Sequence, residues 1–416
     1  MSDRASWEKL EPAVTVLAPR DAGALADFLE STRGFAGEPF APARRAAIEA
    51  LSEAFLAEPR LRQDPASVAV AYWMRRASIA RLEAEWRRRV EADPGTVRVP
   101  AGRVLHLAPA NVDTLFLYSW ALSFLCGNAN IVRLSQERDP RVDAMLESIR
   151  ALASRDPELR GQNRFVSYAH DAEVTAALSA WCSHRVIWGG DETVAAVRPL
   201  ALPSHASERV FGSKFSYSVF HAARWLAAPP DERALAASGF FNDLFWFDQM
   251  ACSSPHLLFW VGPERDTAAA IDLFETALQA EADRRGYTTA APTAVHRRAF
   301  AFDLAAETDV EVNLAHRGFV GVRVRDARGL ARSICGGGLL RHYRLERLDE
   351  LESFAAEQDQ TLTHFGFTGD ELRSLAARVG ARGVDRIVPV GEALAFDVVW
   401  DGFDLLDDFT RCVRVR

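Results

Sequence analysis

The chain has 416 residues, which leaves room for roughly two or three domains. Lys and Arg total 49 against 57 Asp and Glu, so the formal net charge is −8 and the basic excess that binding a phosphate backbone needs is absent. Nucleic acid is therefore not an expected partner. Hydrophobic residues make up 49% and charged residues 25%, the balance of a globular chain rather than a disordered one.

Five cysteines (Cys126, Cys182, Cys252, Cys335 and Cys412) are odd in number, widely spaced and form no CxxC pair. Neither a disulfide framework nor a zinc site is expected, and a reducing cytoplasm fits. The first residues, MSDRASWEKLEP, carry acids and no apolar core, so no export signal is read there. The longest apolar run, Thr114 to Cys126, has 13 residues, short of the ~18 a membrane span requires. These features predict a soluble cytoplasmic protein.

Residues 20–95 read as helices, with Asp64-Pro65 as an N-cap followed by proline at the first helical position. From Arg103 the texture changes. RVLHLA, NIVRL, RFVSYA and RVIWGG are short apolar strands, and VDTLFLYSWALSFLC, DPRVDAMLESIRALASR and DAEVTAALSAWC between them are helical. Strands alternating with helices of this length predict a doubly wound parallel sheet of the nucleotide-binding type. A second unit begins near 213. It runs through the helix ERALAASGFFNDLFWFDQM, the strand HLLFWVG, a long helix from Glu264 to Arg285, and the strands GFVGVRVR, GGGLLRHYRLE and TLTHFGF. The expected division is 1–212 for the helical part with the cofactor domain, 213–375 for an interleaved α/β catalytic domain, and 376–416 for a segment returning to the first domain or to an oligomer interface.

No GxGxxG, GxxxxGK[ST] or HExxH is present, so neither a standard dinucleotide or phosphate loop nor a metal site is predicted. The first strand instead ends in LAPANVD, which puts Ala108, Pro109 and Asn111 at a strand-to-helix turn, beyond the carboxyl end where open parallel sheets bind ligands. Asn111 is there either as an amide donor to an oxyanion or as a helix cap. Arg133 and Ser135, at the far end of the next strand, suit a ribose or phosphate. Gly189-Gly190 lies between a strand and a helix, where a cofactor could approach the backbone, although many such turns carry glycine with no ligand. Cys252, in DQMACSSPH, follows a helix and has Gln249, Ser253 and Ser254 beside it. It reads either as a nucleophile activated by a helix N-terminus and polar donors, or as a buried, inert thiol. Phe240, Phe241, Phe245, Trp246 and Phe247 are candidates for an acyl tunnel, with plain core as the alternative.

Taken in order, HLAPANVDTLFLYSWALSFLCGNANIVRLS, VIWGGDETV, VFGSKFSYSVF, FDQMACSSPH and VVWDGFDLL resemble the aldehyde dehydrogenase superfamily, and within it the long-chain acyl-CoA reductase (LuxC-type) branch. The resemblance runs from about residue 100 to the end. It implies an α/β aldehyde-dehydrogenase-like fold, Cys252 as nucleophile and Asn111 as side-chain oxyanion donor. It also places Ala108, Pro109, Arg133, Ser135, Gly189 and Gly190 on the cofactor. Two positions depart from the superfamily pattern: Ala110 replaces a Trp, and Val210 stands where aldehyde-oxidising members keep a general-base Glu.

The expectation is a reductase that takes an acyl-CoA or related acyl thioester to an aldehyde with NADPH. The alternatives are an NAD(P)-dependent aldehyde dehydrogenase, an acyl-phosphate reductase, or a non-catalytic partner subunit of a biosynthetic complex. A homo-oligomer and an acyl-activating protein partner are also expected.

Overall fold

A computed structural model describes residues 4–20, 23–34, 37–109 and 114–416. The chain divides into two units, Met1–Ser213 with Phe396–Arg416, and Lys214–Ala395.

In the first unit, β1 (Thr15–Ala18), β3 (Arg103–Leu107), β4 (Ala129–Leu134), β5 (Asn163–Ser167), β6 (His184–Trp188) and β7 (Ser207–Phe211) form one sheet in the order β1-β5-β4-β3-β6-β7, and β2 (Thr96–Pro100) stands outside it. All pairings are parallel except β1 with β5. The central strands are nearly continuous apolar runs because helices cover both faces of a parallel sheet. Aspartates start the helices that follow: Asp139 accepts from the Arg141 amide, and Asp171 from the amides of Glu173 and Val174. Because β4 and β5 lie to one side of β3 and β6 to the other, the strand order reverses between β3 and β6. A crevice opens beyond the carboxyl ends at such a point.

The helix that Asp64-Pro65 opens is short. It stops at Trp73, Arg75 is extended, and a second helix covers Arg76–Ala92. The Arg75 guanidinium lies 3.9 Å over the Tyr72 ring while its Nε donates to the Tyr72 carbonyl at 3.2 Å, and the Arg75 amide and the Ser78 hydroxyl donate to the same carbonyl at the break.

In the second unit, β8 (Phe215–His221), β9 (Pro255–Val261), β10 (Val310–Asn313), β11 (Val320–Val324), β12 (Leu339–Leu345), β13 (Asp359–Phe365) and β14 (Arg386–Pro389) form a seven-stranded sheet in the order β10-β11-β12-β9-β8-β13-β14. It is parallel except at β10. The boundary expected at 375/376 falls instead at 395/396, because β14 pairs in register with β13, Thr361 opposite Arg386, and so belongs to this sheet. Only the tail from Phe396 joins the first unit. There β15 (Val399–Trp400) and β16 (Phe403–Asp404) make a hairpin, and β17 (Thr410–Arg414) pairs with β2.

Phe240, Phe241 and Phe245 are packed in a core cluster with Phe220, Trp225, Trp260 and Phe274. Three of the five residues considered for an acyl tunnel are thus core. Among the described residues no helix is long and apolar enough to cross a membrane.

Candidate active site

The first unit carries a cavity of about 380 Å³ at the carboxyl ends of its strands. Leu107, Ala108 and Pro109 come from β3 and the turn after it, Arg133 from β4, and Trp188, Gly189 and Gly190 from the end of β6. Five of the six residues expected to meet a cofactor therefore share one wall. Ser135 does not line it; its carbonyl accepts from Arg138 Nη1 at 2.7 Å instead. Asn111 and Ala110 lie outside the described residues.

Local chemistry explains the shape of the cavity. At Gly189 an added Cβ would press on Thr193 at 3.1 Å, whereas at Gly190 it would meet only the Ser213 hydroxyl, 3.7 Å away. The turn thus keeps its backbone open to the cavity at Gly190 and packs tightly at Gly189. Ala172 and Thr175 on the helix Ala172–Trp181 and Thr193, Ala196 and Val197 on the helix Asp191–Val197 form a largely apolar slot. Such a slot suits a flat ring, with the Arg133 guanidinium at its sheet end. Arg133 Nη2 donates to the Tyr168 carbonyl at 3.3 Å and the guanidinium lies 5.4 Å over the Tyr168 ring, so its fork is held in place. Asp171, which sequence spacing marked only as the start of a helix, shares this wall with Arg133. The set of one guanidinium, two threonine hydroxyls, a glycine turn and an apolar slot fits the adenosine part of a dinucleotide.

Cys252 lies in the second unit, in the turn between the helix Pro230–Phe245 and β9. The helix N-terminus expected to activate it is not there, because the residues after it enter a strand at Pro255. What approaches the sulfur is an amide: Gln360 Nε2 of β13 donates to Cys252 Sγ at 3.4 Å. The Cys252 carbonyl accepts from Ser216 Oγ at 2.7 Å, and the same hydroxyl accepts from the Thr361 amide at 3.1 Å. Cys252 is a partly exposed residue, whereas Cys126 and Cys182 are fully buried. Burial pushes the Cys182 thiol up to about 12 and the Cys335 thiol up to about 11.

The turn itself is strained and braced. Asp248 and Gln249 have φ of 48° and 63°, unusual for residues with side chains. The buried Gln249 amide holds them there. Its Nε2 donates to the carbonyls of Pro255 and Leu339, and its Oε1 accepts from the amides of Gly338 and Leu339. Gly336, Gly337 and Gly338 wrap the same turn at φ of 77°, 62° and 84°, and a Cβ at Gly336 would meet Met250 Sδ at 2.5 Å. Sequence reading singled out Gln249 only as a polar neighbour. It missed Gln360, Ser216 and the glycine run, since strand pairing alone brings those segments to Cys252.

Val210, on β7, is partly buried against the apolar cluster that includes Leu105, Ile131 and Ile187. A carboxylate there would have apolar neighbours.

Solved structures share this architecture. The putative aldehyde dehydrogenase PutA from Anabaena variabilis aligns with 99% of this chain and 91% of its own length at TM-score 0.60 and 14% identity. Aldehyde dehydrogenase 21 from Physcomitrella patens does so over 99% and 91% at TM-score 0.62 and 11% identity. The chain has the aldehyde dehydrogenase fold. Residues 84–313, more than half of it, match the acyl-CoA reductase (LuxC) family, and the chain belongs to that family.

Relatives include long-chain acyl-protein thioester reductase 2 of Photobacterium leiognathi, 27% identical over 169 residues, which are 40% of this chain and 34% of that protein. The long-chain acyl-protein thioester reductase of Aliivibrio fischeri is 26% identical over 187 residues, 44% of this chain and 36% of its own. These matches span about a third of the relatives' lengths.

Proposed function

We propose that this chain reduces an activated acyl group, as acyl-CoA or another acyl thioester, to an aldehyde through an acyl-enzyme on Cys252. The observation that carries the reading is the Cys252 turn: a partly exposed cysteine in a turn braced by a buried glutamine, with its sulfur met by the Gln360 amide. As thiolate, Cys252 attacks the thioester carbonyl. The carbon–sulfur bond to the donor breaks, the donor leaves as its thiolate, and a new thioester to Cys252 remains. The Cys252 backbone amide and the Asn111 side chain are the donors proposed for the oxyanion.

The fold and the family imply a nicotinamide cofactor, which when bound in its reduced form supplies hydride to the acyl carbon. Ala108, Pro109, Arg133, Gly189 and Gly190 would hold it, and Ser135 is no longer part of that set. Arg133 favours NADPH, because its fork can grip a 2′-phosphate at two points. Val210 cannot activate water, so the acyl-enzyme is kept for reduction rather than hydrolysis. The names of the relatives point to a protein-bound thioester as one acyl donor. An acyl-activating protein partner and a homo-oligomer belong to the same reading.

The test is an intact mass after mixing with a fatty acyl-CoA and no reductant. One added acyl group, removed by hydroxylamine and absent in Cys252→Ala, is expected. Full aldehyde production by Cys252→Ala would overturn the assignment.

A further inference from the structure

The first unit has a second cavity, of about 370 Å³, that the reductase reading does not use. It lies at the opposite end of the sheet. Arg103 is the first residue of β3, and Trp181 and His205 stand just before β6 and β7, so this cavity opens at the amino ends of these strands, and the carboxyl ends of β3 and β6 line the candidate cofactor cavity. A five-residue strand at a rise of ~3.3 Å per residue separates the two by roughly 17 Å.

The lining divides into an apolar and a cationic part. Trp7, Ala26, Leu29 and Trp181 supply the first, and both indoles are almost fully buried. Arg33 and Arg103 supply the second, and His205 lines the cavity beside them. The one carboxylate, Glu30, lies 3.4 Å from Arg33. Arg103 is half-buried, with its guanidinium 5.9 Å over the Trp181 ring and without a hydrogen bond or carboxylate partner among the described residues. Burial lowers its pKa, and the neighbouring Arg33 adds to the effect. Glu30 is engaged by Arg33, so no carboxylate among the described residues pairs with Arg103; a half-buried guanidinium in that position is unfavourable by itself, and an incoming anion relieves it.

We infer that this cavity binds a small organic anion, a carboxylate on a short apolar body, with Arg103 on the carboxylate and the indoles of Trp7 and Trp181 on the body. The volume is in the range of small-molecule pockets. The inference stands apart from the reductase reading, since it rests on other residues and on a binding readout.

The probe is octanoate, titrated into the full chain by calorimetry, with octanol and inorganic phosphate as the apolar and anionic halves alone. Octanoate should bind at a single site, and each half should bind about tenfold more weakly or less. Arg103→Met keeps a stem over Trp181 and removes the charge; Ala180→Leu narrows the cavity from an exposed position and leaves the charge in place. Each should weaken octanoate about tenfold or more while thermal melting stays near that of the parent. Octanol binding as tightly as octanoate would overturn the anionic half, and phosphate binding as tightly would overturn the apolar half. No octanoate binding, or unchanged affinity in whichever variant folds, would overturn the site.

Discussion

Gln360 donates its amide to the sulfur of Cys252 at 3.4 Å although 108 positions separate the two in the chain. Pairing of β13 with β8 and of β8 with β9 delivers this contact, since Gln360 is on β13 and Cys252 precedes β9. A donor aimed at sulfur stabilises negative charge that develops there. Gln360→Leu should therefore slow alkylation of Cys252 by iodoacetamide at pH 7 by about fivefold, the effect of roughly 1 kcal/mol. Gln360→Glu, which puts a charge beside the sulfur, should slow it further. An unchanged rate in both variants would make the contact a packing feature only.

Asn111 separates two readings of the turn after β3. As an oxyanion donor its removal in Asn111→Ala should slow acylation of Cys252 by ~10²–10³ with little change in the thermal midpoint. The helix after β3 has Thr114 as its N-cap residue, so without an oxyanion role the Asn111→Ala change should leave acylation within a few-fold. Single-turnover acylation and a melting curve on the same sample decide between them.

Local sequence chemistry made the cavity of the first unit legible and left the surroundings of Cys252 hidden. The Gly189-Gly190 turn, the strand ends at Pro109 and Arg133, and the aspartate caps are each written within a few residues, and they converge on one cavity. Around Cys252 the determinants are distant pairings. The Gln249 amide is satisfied by Pro255 at one end and by the segment 338–339 at the other, and no spacing rule announces that. The same limit explains the misplaced boundary at 375. RIVP reads as a strand, but which sheet it joins depends on its partner, β13. Ser135 does not line that cavity for another reason: proximity to Arg133 in sequence does not put both on the wall, since side chains past the end of a strand follow the loop.

Arg133 and Asp171 line one cavity with opposite charges, and the proposed cofactor site makes them the residues whose replacement should shift the nicotinamide preference. Arg133→Ala should lower the ratio of NADPH to NADH affinity. Asp171→Asn should raise it, because asparagine caps the helix as well as aspartate and removes only the charge. Fluorescence titration with both reduced cofactors measures the ratio. Tighter NADH binding by the parent chain, unaffected by Arg133→Ala, would assign the phosphate-free cofactor instead.

His256 is buried on β9, stacked on Phe215 at 5.3 Å. Burial, with Arg341 nearby, moves it down from its ordinary 6.5 to about 3. An unfolded chain takes up this proton near pH 6.5 while the folded chain refuses it until about pH 3, so the stability tied to a neutral His256 is present above pH 6.5 and lost progressively as pH falls through that window. His106 and His184, buried in the first unit, shift in the same direction. His256→Phe keeps the stacking and removes the proton site. Its melting midpoint should fall less steeply than the parent's between about pH 6.5 and pH 4. Parallel midpoint curves for the two proteins would show that the histidine does not carry acid sensitivity.

Val210 offers the sharpest test of reduction against hydrolysis. Its side chain packs on an apolar cluster beside Ile187, its partner across the β6–β7 pairing, so no base stands at that position. The parent's acyl-enzyme, formed without reductant, should therefore persist for many turnover times and release little free acid. Val210→Glu should speed acid release if the new carboxylate reaches the acyl carbon through one water. It should also lower the melting midpoint, because a carboxylate among Leu105, Ile131 and Ile187 must either remain charged at a desolvation cost or hold its proton. Val210→Gln brings similar volume and polarity without a base, so it separates the two effects: it should share the stability loss and not the hydrolysis. Acid release by Val210→Gln as fast as by Val210→Glu would attribute hydrolysis to a loosened fold. Rapid acid release by the unaltered chain would mean that a base reaches the thioester from elsewhere, and the chain would then be an aldehyde-oxidising enzyme.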